Sequence, residues 1–231
     1  MPTHVGIILD GNRRYAKEQS QDSSFGHTIG AHRIDEVLDW CFEAGVKVVT
    51  IYVFSTENFS RKEEEVEHIM ELARQRFETV AQSEVVHRHK VRVRAIGQLT
   101  LLPPSVITAI REAEEATKGY NNFQLNVAIG YGGRTEIVDA VRSIAEKVSS
   151  GTLDPSEISD ETIEKHLYTA GIADPELIIR TSGEERLSGF LLWQSAYSEL
   201  YFADVYWPEI RKIDFWRAIR TYQRRDRRFG N

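Results

Sequence analysis

His4-Val-Gly-Ile-Ile-Leu-Asp10-Gly-Asn-Arg-Arg-Tyr-Ala-Lys17 is an apolar run that ends on an acid, a glycine and two adjacent cations. The apolar part reads as a buried strand and the polar part as a tight turn, so Asp10, Arg13 and Arg14 are delivered together to one edge of a sheet. Ligands of open α/β sheets sit at that edge, which makes it a candidate site. Asp-Gly-Asn by itself carries little weight, because such residues make turns for conformational reasons everywhere. Two further apolar runs end in the same way, one in Phe54-Ser-Thr-Glu-Asn-Phe-Ser-Arg61 and one in Arg180-Thr-Ser-Gly-Glu-Glu-Arg186-Leu-Ser188.

Working outward, apolar and β-branched runs at 5–9, 48–54, 91–96, 125–129, 177–179 and 200–205 read as strands. Helical periodicity covers 29–44, 63–86, 104–118, 134–149, 159–168 and 214–224, with Gly45 placed to end the first and Ser159 or Asp160 to cap the fifth. Alternation of the two implies a six-stranded, mostly parallel sheet flanked by helices, in an α/β fold. The 63–86 stretch sets Val66, Ile69, Met70, Ala73, Phe77 and Val80 on one face, which by pattern is an ordinary helix lying on the sheet.

The chain has 231 residues and a net charge of −6, with no linker or repeat to divide it, so 1–231 is read as one domain. An acidic balance argues against a nucleic-acid-coating surface, so no nucleic acid is expected as a partner. Cys41 is the only cysteine, sits in a helical run and reads as a core residue. With no signal-like segment and no run long enough to cross a bilayer, the expected location is cytoplasmic, with at most peripheral membrane contact.

Arg180 and Arg186 bracket a glycine-containing loop, and planar guanidiniums suit a diphosphate better than a carboxylate. A surface turn with helix-end charges is the competing reading of the same segment. His87-Arg-His89 invites a metal reading, but cations at a helix end favour its dipole and no third ligand is near in sequence. Gly130-Tyr-Gly-Gly-Arg134 lacks the lysine and spacing of a phosphate-binding P-loop and reads as a structural turn.

Taken together, these segments resemble the cis-prenyltransferase family, which includes undecaprenyl and dehydrodolichyl diphosphate synthases. The likeness runs from His4 to the terminal Arg-Arg-Phe-Gly and includes Phe25-Gly-His27, Gly130-Tyr-Gly-Gly-Arg134 and Ser198-Glu-Leu-Tyr-Phe-Ala-Asp-Val205. It implies condensation of isopentenyl diphosphate with an allylic prenyl diphosphate, dependent on Mg2+, with the product in an apolar tunnel walled by the 63–86 helix. By resemblance, Asp10 is the principal catalytic residue and holds magnesium. Gly11, Asn12, Arg13 and Arg14 cradle the allylic diphosphate, joined by His27 and Arg61. Asn58, with Ser55, Thr56 and Glu57 around it, stands where the lost proton is positioned or accepted; a neutral amide is a poor base, so an orienting role is expected. Arg180, Arg186, Leu187 and Ser188 match the isopentenyl diphosphate grip, and Glu199, with Glu185 as an added candidate, matches the metal side. Arg228 and Gly230 match a tail that reaches into the partner's site, which implies a homodimer.

Tyr15 and Phe59 stand where the family often has Trp and are expected to bound the first isoprene units. One departure is Ser23, where bacterial relatives often carry Arg; Arg13 is the candidate compensation. The expected product is a polyprenyl diphosphate for a glycan carrier lipid. A short-chain Z,E-farnesyl diphosphate synthase and a noncatalytic partner subunit are the alternatives. An uninterrupted helix after Arg61 favours the longer product, whereas Val53 and Phe123, expected to face the tunnel, favour a shorter one.

Overall fold

Six strands, β1 (His4–Ile8), β2 (Val48–Ser55), β3 (Val91–Ile96), β4 (Phe123–Tyr131), β5 (Leu177–Arg180) and β6 (Glu199–Phe202), form one sheet in the order β3-β4-β2-β1-β5-β6. The structure is a computed structural model and describes residues 1–224. Every neighbouring pair is parallel, so the sheet is parallel throughout rather than mostly so. The chain leaves β1 toward β2 on one side and returns at β5 on the other, which puts the reversal of strand order beside Asp10 and Arg180.

The helices are α1 (Asn12–Glu18), α2 (Ser23–Glu43), α3 (Glu63–Gln82), α4 (Glu84–His89), α5 (Pro104–Thr117), α6 (Gly133–Ser149), α7 (Asp160–Glu164) and α8 (Lys212–Arg224). One sheet face carries Val5, Ile7, Val49, Ile51, Val93 and Ile179, and these pack with apolar side chains of α2, α3, α5 and α8 in a single core. Ile8, Tyr52, Ala128 and Ile178 point the other way, onto Phe190 and Leu191. The period-two alternation read from the sequence thus becomes two layers on one sheet.

Several expected boundaries change. The sequence around 12–18 reads only as a turn and two cations, but Gly11 takes φ 107° and releases the chain straight into α1. Helix α2 begins at Ser23, before the expected 29, because the Asp22 side chain accepts from the Phe25 N–H and caps it. Gly26 and Gly30 are interior to α2 because α1 lies against them: a Cβ at Gly26 would meet the Asn12 carbonyl oxygen at 2.1 Å, and one at Gly30 the Asn12 side-chain oxygen at 2.2 Å.

The long 63–86 helix is also two helices. Ser83 leaves helical geometry at ψ 117° and its side chain caps α4 by accepting from the Val86 N–H at 3.4 Å. The argument for a longer product from an unbroken helix therefore falls. At the other end of the chain, α7 is a short helix capped by Ser159, and β6 stops at Phe202 because the backbone of 203–205 turns to the 182–183 loop instead.

Candidate active site

Asp10 follows β1 and Arg180 ends β5, in adjacent parallel strands where Ile8 pairs with Arg180. Their side chains meet: an Arg180 Nη2–H donates to Asp10 Oδ2 at 2.7 Å, and Arg14, one turn into α1, donates to Asp10 Oδ1 at 3.2 Å. The turn itself is fixed by Thr181, whose hydroxyl donates to the Asp10 carbonyl at 2.6 Å while accepting from the Asp10 N–H at 3.0 Å. Burial pushes the Asp10 carboxyl up, but the Arg180 hydrogen bond and the charges of Arg180 and Arg14 outweigh it and hold the group below the usual aspartate range.

Arg180 is only 4% exposed, a position a guanidinium tolerates only when paired. It donates to the Ser188 hydroxyl at 2.8 Å and to the Arg186 carbonyl as well as to Asp10, so it pins the 181–188 loop onto the strand end. Ser182, Gly183 and Ser188 all take positive φ, which coils that loop tightly enough to present Arg186 and Ser188 at the surface above Arg180.

Across the cleft two guanidiniums and an imidazole converge on a single oxygen. Glu65, in the first turn of α3, is 7% exposed. Its Oε1 lies 3.1 Å from His27 Nε2 on α2, 3.0 Å from Arg61 Nη1 and 3.8 Å from Arg13 Nε on α1. Burial raises the Glu65 carboxyl, and the His27 hydrogen bond with the Arg61 and Arg13 charges brings it below its ordinary value. Burial also lowers the His27 imidazole, which Glu65 only partly offsets.

Asn58 lies in the 3-10 turn 56–60 and is held by its neighbour: the Ser55 N–H donates to Asn58 Oδ1 at 3.1 Å, and the Ser55 side chain accepts in return within the same turn. Its amide oxygen is thereby turned back onto its own turn, which leaves the NH2 to donate and suits an orienting role better than proton acceptance. Thr56 lies behind the turn against Gly132, where a Cβ would meet its hydroxyl at 2.6 Å, so the Gly-Tyr-Gly-Gly segment is a packing turn.

A cavity of about 420 Å³ runs from this cleft between the sheet and helices α2 and α3. Asn12 and His27 line it toward the carboxyl edge of the sheet, Ile34, Val53, Ile69 and Phe77 line its middle, and Phe42, Val86 and Val91 line it toward the amino edge. Val53 faces it as expected, but Phe123 stands behind Phe42, ring centroids 4.6 Å apart. Tyr15 and Phe59 are engaged elsewhere: Tyr15 stacks on Phe25 with centroids 6.1 Å apart, and Phe59 packs edge-on against Phe54 at 4.9 Å.

Residues 8–230 match the family described as "Putative undecaprenyl diphosphate synthase". The chain is 58% identical over 230 residues to the tritrans,polycis-undecaprenyl-diphosphate synthase (geranylgeranyl-diphosphate specific) of Methanopyrus kandleri, covering 100% of this chain and 85% of that one. It is 54% identical over 234 residues to an isoprenyl transferase of Thermus thermophilus, covering 100% and 89%. The crystal structure of lavandulyl diphosphate synthase from Lavandula x intermedia, in complex with dimethylallyl diphosphate, superposes with a TM-score of 0.96 at 35% identity, covering 100% of this chain and 98% of that one. The chain belongs to the undecaprenyl diphosphate synthase family. It is an enzyme, a cis-prenyltransferase.

Within this family member, some candidate residues gather and others do not. Asp10, Gly11, Arg14, Arg180 and Ser188 meet at one strand edge, and Arg13, His27 and Arg61 meet at Glu65. Glu199 does not join Asp10. It pairs with Leu177 at the start of β5, whereas Asp10 lies past the end where Ile8, Arg180 and Phe202 align. At about 3.3 Å per residue, that puts Glu199 roughly 10 Å of strand away even from the Phe202 level. Glu185 is exposed, and its neighbour Glu184 makes the contacts instead, accepting from Arg14 at 3.0 Å and pairing with Arg186. Leu187 packs against the Ile8–Phe190 cluster, while Glu57 is exposed. Arg228 and Gly230 lie outside the described residues. Glu65, Glu184 and Thr181 were missed by the sequence reading. Glu65 sits in a Glu63-Glu-Glu65 run that looks like the ordinary acidic first turn of a helix.

His87 and His89 end α4, His87 bonding Tyr120 at 2.8 Å and His89 stacking on Phe42 at 5.3 Å. Among the described residues, no group of three or more His, Cys, Asp or Glu is arranged to hold a metal. No described helix is long and apolar enough to cross a membrane. Cys41 is fully buried and burial pushes its thiol far up, which makes it a core residue.

Proposed function

We propose that the enzyme adds isopentenyl diphosphate units in cis to an allylic primer, building a polyprenyl diphosphate, with geranylgeranyl diphosphate as the primer. The observation that carries this reading is the cavity: it starts at His27 and Asn12, beside a cluster of cations, and continues as an apolar channel past α2 and α3. An allylic substrate is a diphosphate joined to a hydrocarbon chain, and the two halves of the site match the two halves of that molecule. The geranylgeranyl-diphosphate specificity in the Methanopyrus kandleri relative's name supports the primer.

In this reading Arg13, Arg14, His27 and Arg61 hold the allylic diphosphate, and Arg186 with Ser188, on the loop pinned by Arg180, holds isopentenyl diphosphate. Fixed donors aimed at a departing diphosphate stabilise developing negative charge without reorganising during the reaction, which is where most of the catalysis comes from. Asn58 orients the reacting groups and the released diphosphate or water takes the proton.

Magnesium fits the site because it needs few carboxylates plus substrate phosphate oxygens, and Asp10 supplies one carboxylate, held ionised by its cations. Bound there, it would neutralise charge on the leaving diphosphate. Glu199, at the opposite edge of the sheet, would reach such an ion only from another subunit, which ties its role to a homodimer. The exposed Val138 and Val141 on α6 and Tyr197 on the neighbouring segment support such an interface.

Labelled isopentenyl diphosphate supplied with geranyl, farnesyl or geranylgeranyl diphosphate, followed by sizing of the dephosphorylated products, tests the reading. The expected result is a long-chain ladder with fastest incorporation from geranylgeranyl diphosphate. A single short product from geranyl diphosphate would replace it with the short-chain alternative.

A further inference from the structure

The Glu65 carboxylate is unusual in what it collects. One oxygen, Oε1, is approached by His27 at 3.1 Å, Arg61 at 3.0 Å and Arg13 at 3.8 Å, each from a different element of the fold. Two guanidiniums and an imidazole closing on one oxygen is the arrangement expected around a phosphate oxygen. Here the oxygen belongs to the protein. The carboxylate is 7% exposed and sits in the first turn of α3, so it lies beside whatever anion enters the cleft.

We infer that Glu65 is a built-in stand-in for a phosphate oxygen, which holds Arg13, His27 and Arg61 converged while the cradle is empty and then competes with the incoming diphosphate for them. This inference rests on the proposal that these side chains bind the allylic diphosphate. Two opposing effects follow from one side chain. Its hydrogen bonds to His27 and Arg61 and its charge toward Arg13 preorganise these side chains, which favours binding. Its charge repels a multiply charged ligand a few Å away, which opposes binding and speeds release. Chain elongation needs both: the diphosphate end must be gripped during each condensation and given up after it.

Glu65→Gln separates the two effects, because the amide oxygen still accepts hydrogen bonds while the charge is gone. Glu65→Ala removes both. Inorganic diphosphate binding to the full-length protein, measured by calorimetry, is expected to be roughly tenfold tighter in Glu65→Gln than in wild type, the scale of one unit charge near the ligand at a surface-like dielectric. Glu65→Ala is expected to bind several-fold more weakly than Glu65→Gln. A gain in affinity is not what structural damage produces, so tighter binding by Glu65→Gln supports the inference. Unchanged or weaker binding overturns it, and equal affinity of the two variants overturns the preorganising half. Arg61→Ala is the control for the underlying proposal. If Arg61→Ala does not weaken diphosphate binding, the cradle itself is misassigned; if it does while Glu65→Gln gains nothing, only the stand-in role fails.

Discussion

The two edges of the parallel sheet are built from the same strands and do different work. At the carboxyl edge, Asp10, Arg180 and Ser55 follow or end β1, β5 and β2, and their polar groups face a cleft. At the amino edge, His4 begins β1, its two ring nitrogens 2.5 Å from the Ala173 carbonyl oxygen and 2.7 Å from the Thr50 hydroxyl, while Phe123 begins β4 against Phe42. The Asp10 carboxylate at the first edge is paired with long, charged side chains from a strand end and a helix that a substrate can compete for. The His4 ring at the second is satisfied by backbone and a neutral hydroxyl already inside the fold. A parallel sheet collects its helix-starting turns at one edge only, so chemistry gathers there while the other edge is free to serve stability.

Removing the carboxylate at the reactive edge is the hardest test of this division. Asp10→Ala is expected to lower kcat by about 1,000-fold or more, as loss of a group acting in the transition state does. Because Arg180 is buried and keeps only Ser188 and the Arg186 carbonyl, a moderate fall in Tm should accompany it. Steady-state turnover beside a melting curve checks both. Near-normal turnover in the folded variant would remove Asp10 from the mechanism.

Within the reactive edge, Arg186 and the Arg13–Arg61 group are assigned to different diphosphates. Arg186→Lys keeps the charge and loses the planar fork, so the KM for isopentenyl diphosphate should rise about 10- to 100-fold, the value of one charge-assisted hydrogen bond of about 1.5–3 kcal/mol. The KM for the allylic primer should hardly move. Equal increases in the two would merge the two halves into one undivided anion site.

Much of the reactive edge was legible because its residues are strand-end residues, and a strand announces where it stops. Asp10 and Arg180 come together simply because β1 and β5 are adjacent and in register. What the sequence hid depends on features that carry no local signal. Glu199 precedes an apolar run just as Asp10 follows one, and only the register shows that those two positions lie at opposite edges. Glu65 is one of three consecutive glutamates, and the packing of α1 and α2 selects which one is buried. The break at Ser83 sits inside an otherwise continuous apolar stripe, where a capping serine looks like any polar helix residue.

The amino edge should answer to pH rather than to substrate. Burial lowers the His4 imidazole from 6.5 to about 4, with the Ala173 carbonyl and Glu176 pulling partly the other way. The unfolded chain therefore takes up a proton near pH 6.5 that the folded chain refuses until about pH 4, so stability is full above that range and declines as the pH falls through it. Between pH 7 and pH 5 the loss attributable to His4 is about 2 kcal/mol. Urea unfolding of wild type and His4→Asn at the two pH values isolates it: the variant should show a flatter dependence, with unchanged KM values at pH 7. A pH slope that survives the substitution would assign the effect to other groups, His27 first among them.

The smallest effect tests where the two edges communicate. The cavity crosses the sheet face from His27 at the reactive edge to Phe42 and Val91 at the amino edge, so on the proposed reading the quiet edge would serve as the floor of a product channel. Phe42 lines that floor, and Phe123 supports it from behind, with the Lys47 ammonium 4.6 Å from the Phe123 ring. Phe42→Ala should shift the product ladder toward longer chains. Phe123→Ala should shift it less, because the ring it removes is not the wall but its backing, and should cost more stability relative to the change in product. Large-to-small substitution of a buried Phe typically costs about 3–5 kcal/mol, and less is expected for this partly exposed ring. Chromatography of dephosphorylated products beside thermal melts separates the channel effect from the packing effect. If Phe123→Ala lengthened the product as much as Phe42→Ala, the floor would be set by the pair acting as one unit, and the amino edge would control product length through its core rather than through a single exposed ring.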